Sequence, residues 1–242
     1  MPTMRLDKFL SAQLNLSRTD AKKLLRAGRV TVGGAPETKG ERQLDPDAAE
    51  VSVDGNPVVY REHLYLMLHK PAGVVSSTDA PGDRTVLDLV PPELRRAGLF
   101  PAGRLDRDTT GFVLLTDDGA FAHAILSPSR HVPKTYLVTL TRPVTPEEAA
   151  AVTSGLILPD VALKPASLRF AETAPDGLPV YELVITQGIY HQVKRMFAHF
   201  GDPVVRLHRV SIGGLRLDPA LSPGEMRLLT PEEVAEIRQN GV

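Results

Sequence analysis

From residue 64 onward the chain is built of short apolar runs that are separated by proline and glycine. Helical segments lie between some of these runs, but strands and helices do not alternate in the regular βαβ order of a parallel sheet. This irregular order predicts an α+β fold, with a mixed or antiparallel sheet and flanking helices. The predicted strands are LYLMLHKPAG, GFVLLT, KTYLVTL, YELVITQG and LRLDPA, and the predicted helices are GAFAHAILS, TPEEAAAVTSG, HQVKRMFAHFG and TPEEVAEIRQ.

The N-terminal part of the chain has a different character, with two short helices followed by short strands. Apolar residues at helical spacing from Leu6 to Leu14 predict the first helix. The second helix is expected to start at Ser17, whose side chain can cap it. Asp20, three residues further on, can reach back and complete the cap. Glycine turns then delimit short strands in RVTV and VSVDG.

This change of character predicts the domain organisation. At 242 residues the chain is long enough for two domains, and its 42% hydrophobic content is enough to build a core. We expect a small domain over residues 1–57, a linker over residues 58–63 and a second domain over residues 64–242.

The formal net charge is only −1, but the basic residues are unevenly distributed. Residues 4–33 hold seven basic and two acidic residues, a local charge of +5. Such a block is typical of a phosphate-binding surface, although a solvated helix face has the same composition. Arg206, His208 and Arg209 form a second basic segment, which is consistent with a groove for a polyanion. The seven basic residues of the first block are Arg5, Lys8, Arg18, Lys22, Lys23, Arg26 and Arg29.

Several kinds of site are disfavoured by what the chain lacks. It contains no cysteine, which excludes disulfides, cysteine-ligated zinc and thiol nucleophiles. No HExxH-type spacing and no glycine-rich nucleotide-binding loop occur, so we expect neither a metal nor a cofactor. No apolar run approaches the ~18 residues of a membrane span, and the N-terminus has no apolar leader, so we expect a cytoplasmic protein.

The segment GRLDRDTTGFVLLTDDG, residues 103–119, contains four aspartates. Its apolar run FVLL predicts a buried strand, which makes GRLDRDTTG the loop before that strand. Asp106 stands in this loop between Arg104 and Arg107, whose charges would favour the ionised carboxylate that a nucleophile or a base needs. Spacing alone leaves a surface ion pair as the alternative explanation for Asp106.

The other three aspartates have structural explanations. Asp108 precedes two threonines and suits a turn, whereas Asp117 and Asp118 are expected to end the strand and cap the next helix. They are weaker candidates for chemistry than Asp106.

Two further segments combine apolar and polar side chains. In GIYHQVKRMFAHFG, a helix starting near Tyr190 would carry His191, Lys194 and Arg195 at the margins of its packing face. An amphipathic helix with a basic edge explains this pattern without chemistry. Tyr136 in KTYLVTL opens a strand, where a tyrosine commonly packs in the core. The expected packing face of the helix is Val193, Met196, Phe197 and Phe200.

Taken in order, HKPAG, GRLDRDTTG, KTYLVTL and YHQVKRMF resemble the motifs of the pseudouridine synthases. The N-terminal segments MRLDKFL, SRTDAKKLLRAGRVTVGG and VSVDG resemble the S4 RNA-binding domain. Over its whole length the chain is similar to the RsuA family, in which an S4 domain precedes a small catalytic domain that modifies ribosomal RNA.

The resemblance implies roles for particular residues. It assigns the catalytic aspartate to Asp106 and places Tyr136 against the target base. It also implies that Lys194, in preference to Arg195, is the basic partner of the aspartate. The residues expected to bind RNA are Arg5, Lys8, Arg18, Lys22, Lys23, Arg26, Arg29, Arg104, Arg107, His191, Gln192 and Arg195.

Two positions depart from the family pattern. Gln187 and Ile189 stand where relatives commonly show an acidic and a basic residue. This departure concerns an auxiliary RNA contact and leaves the nucleophile unaffected.

The form of the third motif bears on the substrate. It reads YHQVKRMF, whereas the large-subunit enzymes usually carry a form like NRQIRRM. With MRLDKFL near the start, this form resembles the small-subunit enzymes, and the resemblance implies isomerisation of uridine 516 of 16S rRNA, free or in a small-subunit assembly intermediate. No extended heptad or other pairing signal is visible, so we expect a monomer. The alternatives are a 23S rRNA pseudouridine synthase and a non-catalytic S4-type protein of ribosome assembly. A hydrolase that uses Asp106 and Asp108 as a carboxylate pair would explain neither the basic blocks nor the third motif.

Overall fold

The computed structural model describes residues 3–127, 130 and 132–238. The chain forms two compact units. The first extends to Leu64 and also includes Val90–Leu99, and the second comprises Tyr65–Leu89 and the chain from Phe100 onward. Within the described ranges, no helix has the length and apolar character needed to cross a membrane.

The first unit combines two helices with short strands. The helices are α1 (Leu6–Gln13) and α2 (Arg18–Arg26), and the strands are β1 (Met4–Arg5), β2 (Val30–Val32), β3 (Ala35–Pro36), β4 (Gln43–Leu44), β5 (Val51–Val53) and β6 (Asn56–Pro57). Strands β3, β2, β5 and β6 form an antiparallel sheet in that order, and β1 pairs with β4. A 3-10 helix lies at Pro92–Leu94.

The two helices bury their apolar faces in the core of the first unit. Leu6 and Phe9 of α1 and Leu25 of α2 are fully buried, and burial of each such side chain contributes about 1.5–3 kcal/mol. The Ser17 hydroxyl accepts a hydrogen bond of 3.1 Å from the main-chain N–H of Asp20, which confirms the predicted cap of α2.

Part of the segment that the sequence assigns to a linker packs on this core. Val58 lies against it, and the ring of Tyr60 stacks on Phe9 with centroids 6.0 Å apart. The Gln13 side chain also exchanges two hydrogen bonds with the main chain of Arg61. The apolar residues in PVVYREH therefore extend the core of the first unit.

The second unit contains one large sheet with helices around it. Its longer strands are β7 (Tyr65–Lys70), β9 (Thr110–Thr116), β10 (Lys134–Thr139), β13 (Ser167–Thr173), β14 (Pro179–Ile185) and β15 (Arg206–Ile212). Its shorter strands are β8 (Phe100–Pro101), β11 (Ile157–Leu158), β12 (Val161–Ala162), β16 (Leu215–Arg216) and β17 (Met226–Leu228). Its helices are α3 (Gly119–Leu126), α4 (Pro146–Ser154), α5 (Gln192–His199) and α6 (Pro231–Ile237), with a 3-10 helix at Val86–Leu89.

The large sheet has the strand order β13-β14-β10-β15-β9-β7-β17. Strands β9 and β15 are parallel, and the other neighbours along this order are antiparallel. The arrangement confirms the predicted α+β fold with a mixed sheet. Strand β9 is buried from Gly111 to Thr116, because strands flank it on both sides and helix α3 packs on it.

The sequence predicted no strand at β13 or β15, and the strand predicted for LRLDPA is too long. Edge strand β13 has mostly exposed side chains, so its sequence lacks an apolar alternation. Strand β15 carries buried Arg209 and Ser211 on its inner positions, which hides its period of two. LRLDPA forms a strand only over Leu215–Arg216, since its remaining residues enter a turn. The last residue of the predicted helix TPEEVAEIRQ, Gln239, lies outside the described residues, as does His131 before KTYLVTL.

The predicted cap of α3 is present. The Asp118 carboxylate accepts a 2.9 Å hydrogen bond from the main-chain N–H of Phe121. Its other oxygen accepts a 2.6 Å bond from the Tyr65 hydroxyl, so that the cap also ties α3 to β7. Phe121 and Ile125 on this helix are buried against Phe112 of β9.

Candidate active site

A cleft of about 760 Å³ opens in the second unit. It is formed by the loop before β9, strands β10 and β15, the segment between β14 and α5, and the start of α5. Asp106, Tyr136 and Lys194 all line it. The fold thus brings together the three residues to which the resemblance assigns catalytic roles.

The loop that carries Asp106 is held on both sides of this residue. The main-chain N–H and C=O of Leu105 form 3.1 Å hydrogen bonds with the Ser76 hydroxyl. The N–H of Thr109 donates to the carbonyl of Asp106 at 3.1 Å, which closes a turn. The Asp106 side chain is 26% exposed and lines the cleft.

Lys194 on α5 bridges two carboxylates of this loop. Its Nζ lies 3.0 Å from Oδ2 of Asp106 and 2.5 Å from Oδ1 of Asp108. Burial acts to lower the pKa of Lys194, but hydrogen bonds with Asp108 and Asp106 outweigh it and raise this pKa. The hydrogen bond from Lys194 in turn lowers the pKa of Asp108. The turn interpretation of Asp108 is therefore incomplete, because its side chain holds the lysine.

The two arginines beside Asp106 do not pair with it. Arg107 forms an ion pair of 2.9 Å with Asp83, and Arg104 is exposed and lines the cleft. The expectation that these neighbours stabilise the Asp106 anion was wrong for Arg107. Successive residues of a tight loop point in different directions, so a lysine distant in sequence supplies the nearest cation.

His191 lies on the other side of the Asp106 carboxylate. Its Nε2 is 3.3 Å from Oδ1 of Asp106. It adopts a left-handed conformation, with φ 51° and ψ 32°, immediately before α5. Helix α5 accordingly begins at Gln192, two residues after the predicted start near Tyr190. As predicted, Val193, Met196 and Phe197 are buried on its packing face.

Gln192 has surroundings that do not favour the RNA contact expected for it. It is only 4% exposed, and its side-chain oxygen accepts a 3.3 Å hydrogen bond from the N–H of Ile189. The side chain thereby stabilises the loop before α5. The nearby Gln187 has a similar function, because its side-chain oxygen accepts a 3.0 Å bond from the N–H of Lys164.

Tyr136 lies in β10, is 8% exposed and borders the cleft. Its neighbour in β15 is Arg209, whose Nη1 donates to the Tyr136 hydroxyl at 3.5 Å. Arg209 also donates from Nε to the carbonyl of Phe112 at 2.7 Å and is 4% exposed. Arg209 thus borders the cleft, as a polyanion groove requires, but its guanidinium group is buried and held by the sheet.

The other two members of that basic segment are also engaged. Arg206 forms a 2.6 Å ion pair with Asp176. His208 Nδ1 lies 2.8 Å from the Thr110 hydroxyl oxygen, and burial, with a smaller effect of His69, lowers the pKa of His208. The segment therefore contributes to the structure of the sheet.

The sequence analysis assigned no role to Lys70, the last residue of β7. In the structure it is fully buried beneath the loop of Asp106. Its Nζ donates to the carbonyls of Pro71, Arg107 and Thr109 at 3.0, 3.2 and 2.7 Å. Burial lowers the pKa of Lys70 to about 8. The available signal was HKPAG, the first of the four motifs, in which a lysine ends an apolar strand.

Lys134 is a second lysine that the sequence did not single out. It lines the cleft at the start of β10, and its Nζ donates to the carbonyls of Val132 and Ile125 at 2.7 and 3.3 Å. Burial, with a further effect of the charge on Arg209, lowers the pKa of Lys134 to about 8. The cleft therefore has a cation in its wall at the side of β10.

Arg195 points to a different partner from that of Lys194. It forms an ion pair with Asp160 in the turn between β11 and β12. The two adjacent basic residues of α5 therefore have different partners, and of the two it is Lys194 that contacts Asp106.

In the first unit, several cations surround one buried acid. Asp7 is 1% exposed and accepts two hydrogen bonds from Arg5, at 3.1 and 2.9 Å, which lower its pKa. Arg18 and Lys22 approach the same carboxylate at 3.6 and 3.9 Å. The anion thus holds three of the predicted RNA-binding residues on one surface.

The remaining cations of this block differ in their pairing. Lys23 contacts Asp20 at 2.8 Å, and Arg29 pairs with Asp54. Lys8 and Arg26 are exposed and form no ion pair with any residue that the structure describes. These two side chains are available for an external anion.

Comparison with known proteins adds family information to this geometry. The family described as RNA pseudouridylate synthase matches residues 64–199, and the S4 domain matches residues 4–49. No cluster of three or more His, Cys, Asp or Glu side chains suited to a metal ion occurs in the described part of the chain.

Two relatives and one solved structure align over nearly the whole chain. The uncharacterized RNA pseudouridine synthase YtzG of Bacillus subtilis is 47% identical over 96% of this chain and 97% of its own. The ribosomal small subunit pseudouridine synthase A of Salmonella typhimurium is 47% identical over 97% of this chain and 100% of its own. A crystal structure of a pseudouridylate synthase is 41% identical, with a TM-score of 0.65, and the match covers 97% of this chain and 99% of that one.

Proposed function

The chain belongs to the RNA pseudouridylate synthase family, and from this premise we propose that it isomerises uridine 516 of 16S rRNA. The substrate would be the free RNA or a small-subunit assembly intermediate, and the enzyme would act as a monomer in the cytoplasm. The relative from Salmonella typhimurium, whose name specifies the small ribosomal subunit, supports this choice of substrate.

The observation that carries the proposal is the contact between Asp106 and Lys194 in the cleft. A partly exposed carboxylate, 3.0 Å from an ammonium group, is available to a bound nucleotide as an anion. Lys194 stabilises the negative charge and fixes the orientation of the carboxylate, while Asp108 fixes the lysine at 2.5 Å. An ion pair of this kind suits a group that must react in its ionised form.

Isomerisation breaks the bond between N1 of uracil and C1′ of ribose and forms a bond between C5 and C1′. The base gains a proton at N1 and loses the proton at C5, so no group enters or leaves overall. Asp106 would start the reaction in one of two ways: by attacking the substrate covalently, or by removing a sugar proton to give a glycal-like intermediate. Both routes need the carboxylate anion in the cleft.

Tyr136 would contact the uracil ring. It lies in the cleft with its ring held by the sheet and its hydroxyl near Arg209. An enclosed aromatic ring gives a flipped base a stacking surface, which helps to offset the cost of a few kcal/mol for extruding the base from folded RNA. We assign Tyr136 to stacking, because its ring is held by the sheet at the border of the cleft.

We further propose that residues 1–57 form the RNA-binding domain and residues 64–242 the catalytic domain. The exposed cations Lys8 and Arg26, and those held around Asp7, form a surface that suits an RNA backbone. Within the catalytic domain, Arg104 and Lys134 would contribute positive charge at the cleft.

The test is tritium release from 16S rRNA labelled at C5 of uridine, followed by chemical mapping of the modified position. The wild-type protein should release tritium and modify position 516. Asp106→Asn should lose this activity by more than about 10⁴-fold while still binding RNA. Asp176→Asn, which breaks a surface ion pair outside the cleft, is the matched control and should remain active.

Other outcomes separate the possibilities. Modification of 23S rRNA alone would replace the substrate assignment but keep the reaction. An inactive Asp108→Asn beside a fully active Asp106→Asn would overturn the assignment of the aspartate. RNA binding without tritium release by the wild type would indicate a non-catalytic assembly factor.

A further inference from the structure

Tyr190 is an aromatic residue with 70% of its surface exposed, at the margin of the cleft. Its ring stacks on that of His191, with centroids 3.8 Å apart and planes inclined by 17°. This spacing is close to the separation of about 3.4 Å between successive bases along a strand. One face of the tyrosine is covered by the histidine, so the exposed area belongs mainly to the opposite face and the edge.

The stack of these two consecutive residues depends on an unusual backbone. Consecutive side chains point to opposite faces of a strand and diverge around a helix. His191 instead has a left-handed conformation, with φ 51° and ψ 32°, which a residue with a side chain adopts only where its surroundings hold it. The carboxylate of Asp106, 3.3 Å from His191 Nε2, and helix α5 after it provide such surroundings.

The stack adjoins the carboxylate that we assign to catalysis. His191 contacts this carboxylate through Nε2, and Tyr190 stacks on the ring of the same histidine and is exposed to solvent. Exposed Arg104 lines the same cleft and supplies a positive charge for an RNA backbone. A core-packing function does not explain Tyr190, because so much of its ring is exposed.

We infer that Tyr190, stacked on His191, is a binding platform for the base of a nucleotide adjacent to the target uridine. The inference rests on the proposed function. When the target base turns out of the RNA helix, its neighbours lose a stacking partner. The exposed face of Tyr190 replaces that partner, as aromatic residues do in many proteins that bind unpaired nucleotides. Stacking of this kind accepts any base, so the platform supports affinity rather than sequence choice.

The experiment compares Tyr190→Ala with Tyr190→Phe and uses rRNA fragments that lack the base on the 5′ or the 3′ side of the target. With the complete fragment, Tyr190→Ala should raise KM about tenfold and leave kcat within about twofold of wild type. Tyr190→Phe keeps the ring and should behave as wild type. Phe170→Ala, which removes a 54% exposed aromatic ring from edge strand β13, is the matched control and should have no effect.

The decisive comparison is between the substitution and the missing base. On one of the two abasic fragments, the wild type should lose about the same affinity as Tyr190→Ala loses on the complete fragment. Tyr190→Ala should lose nothing further on that fragment, because the two changes remove one contact. Additive losses on both abasic fragments, or a loss confined to kcat, would overturn the inference.

Equilibrium binding in an Asp106→Asn background separates this inference from the proposed function. Loss of affinity on addition of Tyr190→Ala supports the platform even if no pseudouridine forms. Unchanged affinity contradicts the platform even if the wild type is fully active.

Discussion

The Nζ of Lys194 lies 3.0 Å from Oδ2 of Asp106, which joins helix α5 to the loop before β9. The same ammonium group contacts Asp108 at 2.5 Å. One cation therefore serves two carboxylates with different surroundings, since Asp106 is 26% exposed and the Asp108 side chain 74%. We interpret the better enclosed carboxylate as the one that reacts and the outer one as a group that holds the lysine.

These different roles of Asp106 and Asp108 predict different effects for substitutions of Lys194 and Asp108. Lys194→Met should reduce kcat by about 10²–10³-fold, because it removes the charge opposite Asp106. Lys194→Arg keeps the charge and should retain more activity. Asp108→Asn should cost less than Lys194→Met, since Lys194 remains in contact with Asp106. Single-turnover tritium release measures these effects, and an Asp108→Asn defect larger than that of Lys194→Met would contradict the interpretation.

A second prediction concerns the pH dependence of stability. Burial lowers the pKa of Lys70 to about 8, from an ordinary value of 10.5. Between these pH values the unfolded chain keeps the Lys70 proton and the folded chain releases it, so this group adds stability as the pH rises. The free energy of unfolding of the wild type, minus that of Lys70→Met, should therefore increase between about pH 8 and 10.5.

Urea unfolding at several pH values tests this sign, because other titrating groups are common to the two proteins. Lys70→Met should also be less stable at every pH, since it leaves the carbonyls of Pro71, Arg107 and Thr109 without their donor. A difference that stays constant with pH would show that Lys70 titrates alike in the folded and unfolded chains.

A third prediction concerns the parallel contact between β9 and β15. Gly111 has φ 104°, and a Cβ atom there would lie 2.3 Å from the carbonyl oxygen of Arg209. Gly111→Ala should therefore destabilise the protein by about 3 kcal/mol or more, because neither strand backbone can move away freely. Gly119→Ala is the control, since its Cβ meets no atom within 4 Å and φ is not positive. Thermal unfolding should separate the two, and equal stabilities would show that the sheet accommodates the methyl group.

A fourth prediction concerns RNA binding by the first unit. Lys8 and Arg26 are exposed and unpaired among the described residues, whereas Lys23 and Arg29 each contact an aspartate. The double substitution of Lys8 and Arg26 by Gln should weaken binding and make the slope of log K against log salt shallower by about 1–2. The same substitutions at Lys23 and Arg29 should have a smaller effect. Equal slopes for both double variants would show that the aspartates do not compete with RNA.

Features that depend on neighbours along the chain were predictable. The cap at Ser17 and the cap at Asp118 follow from residues within three positions of each. The apolar run of β9 identifies a buried strand, and the uneven spacing of strands and helices indicates the mixed sheet. These features are set by backbone hydrogen bonding and local burial, which act over short distances in sequence.

The identity of the cation beside Asp106 was decided by the tertiary structure. Arg104 and Arg107 are nearer in sequence, but the loop directs Arg107 to Asp83, and helix α5 brings Lys194 to Asp106. The burial of Lys70 and Arg209 follows from strand pairing in the same way, because a charged side chain can enter a sheet wherever carbonyl groups accept its hydrogen bonds. The sequence by itself determined which residues were available for the site and where the capped helices and the apolar strands would form. Only the packing of distant segments decided which charges meet, since Coulomb and hydrogen-bond energies depend on separation in space and not along the chain.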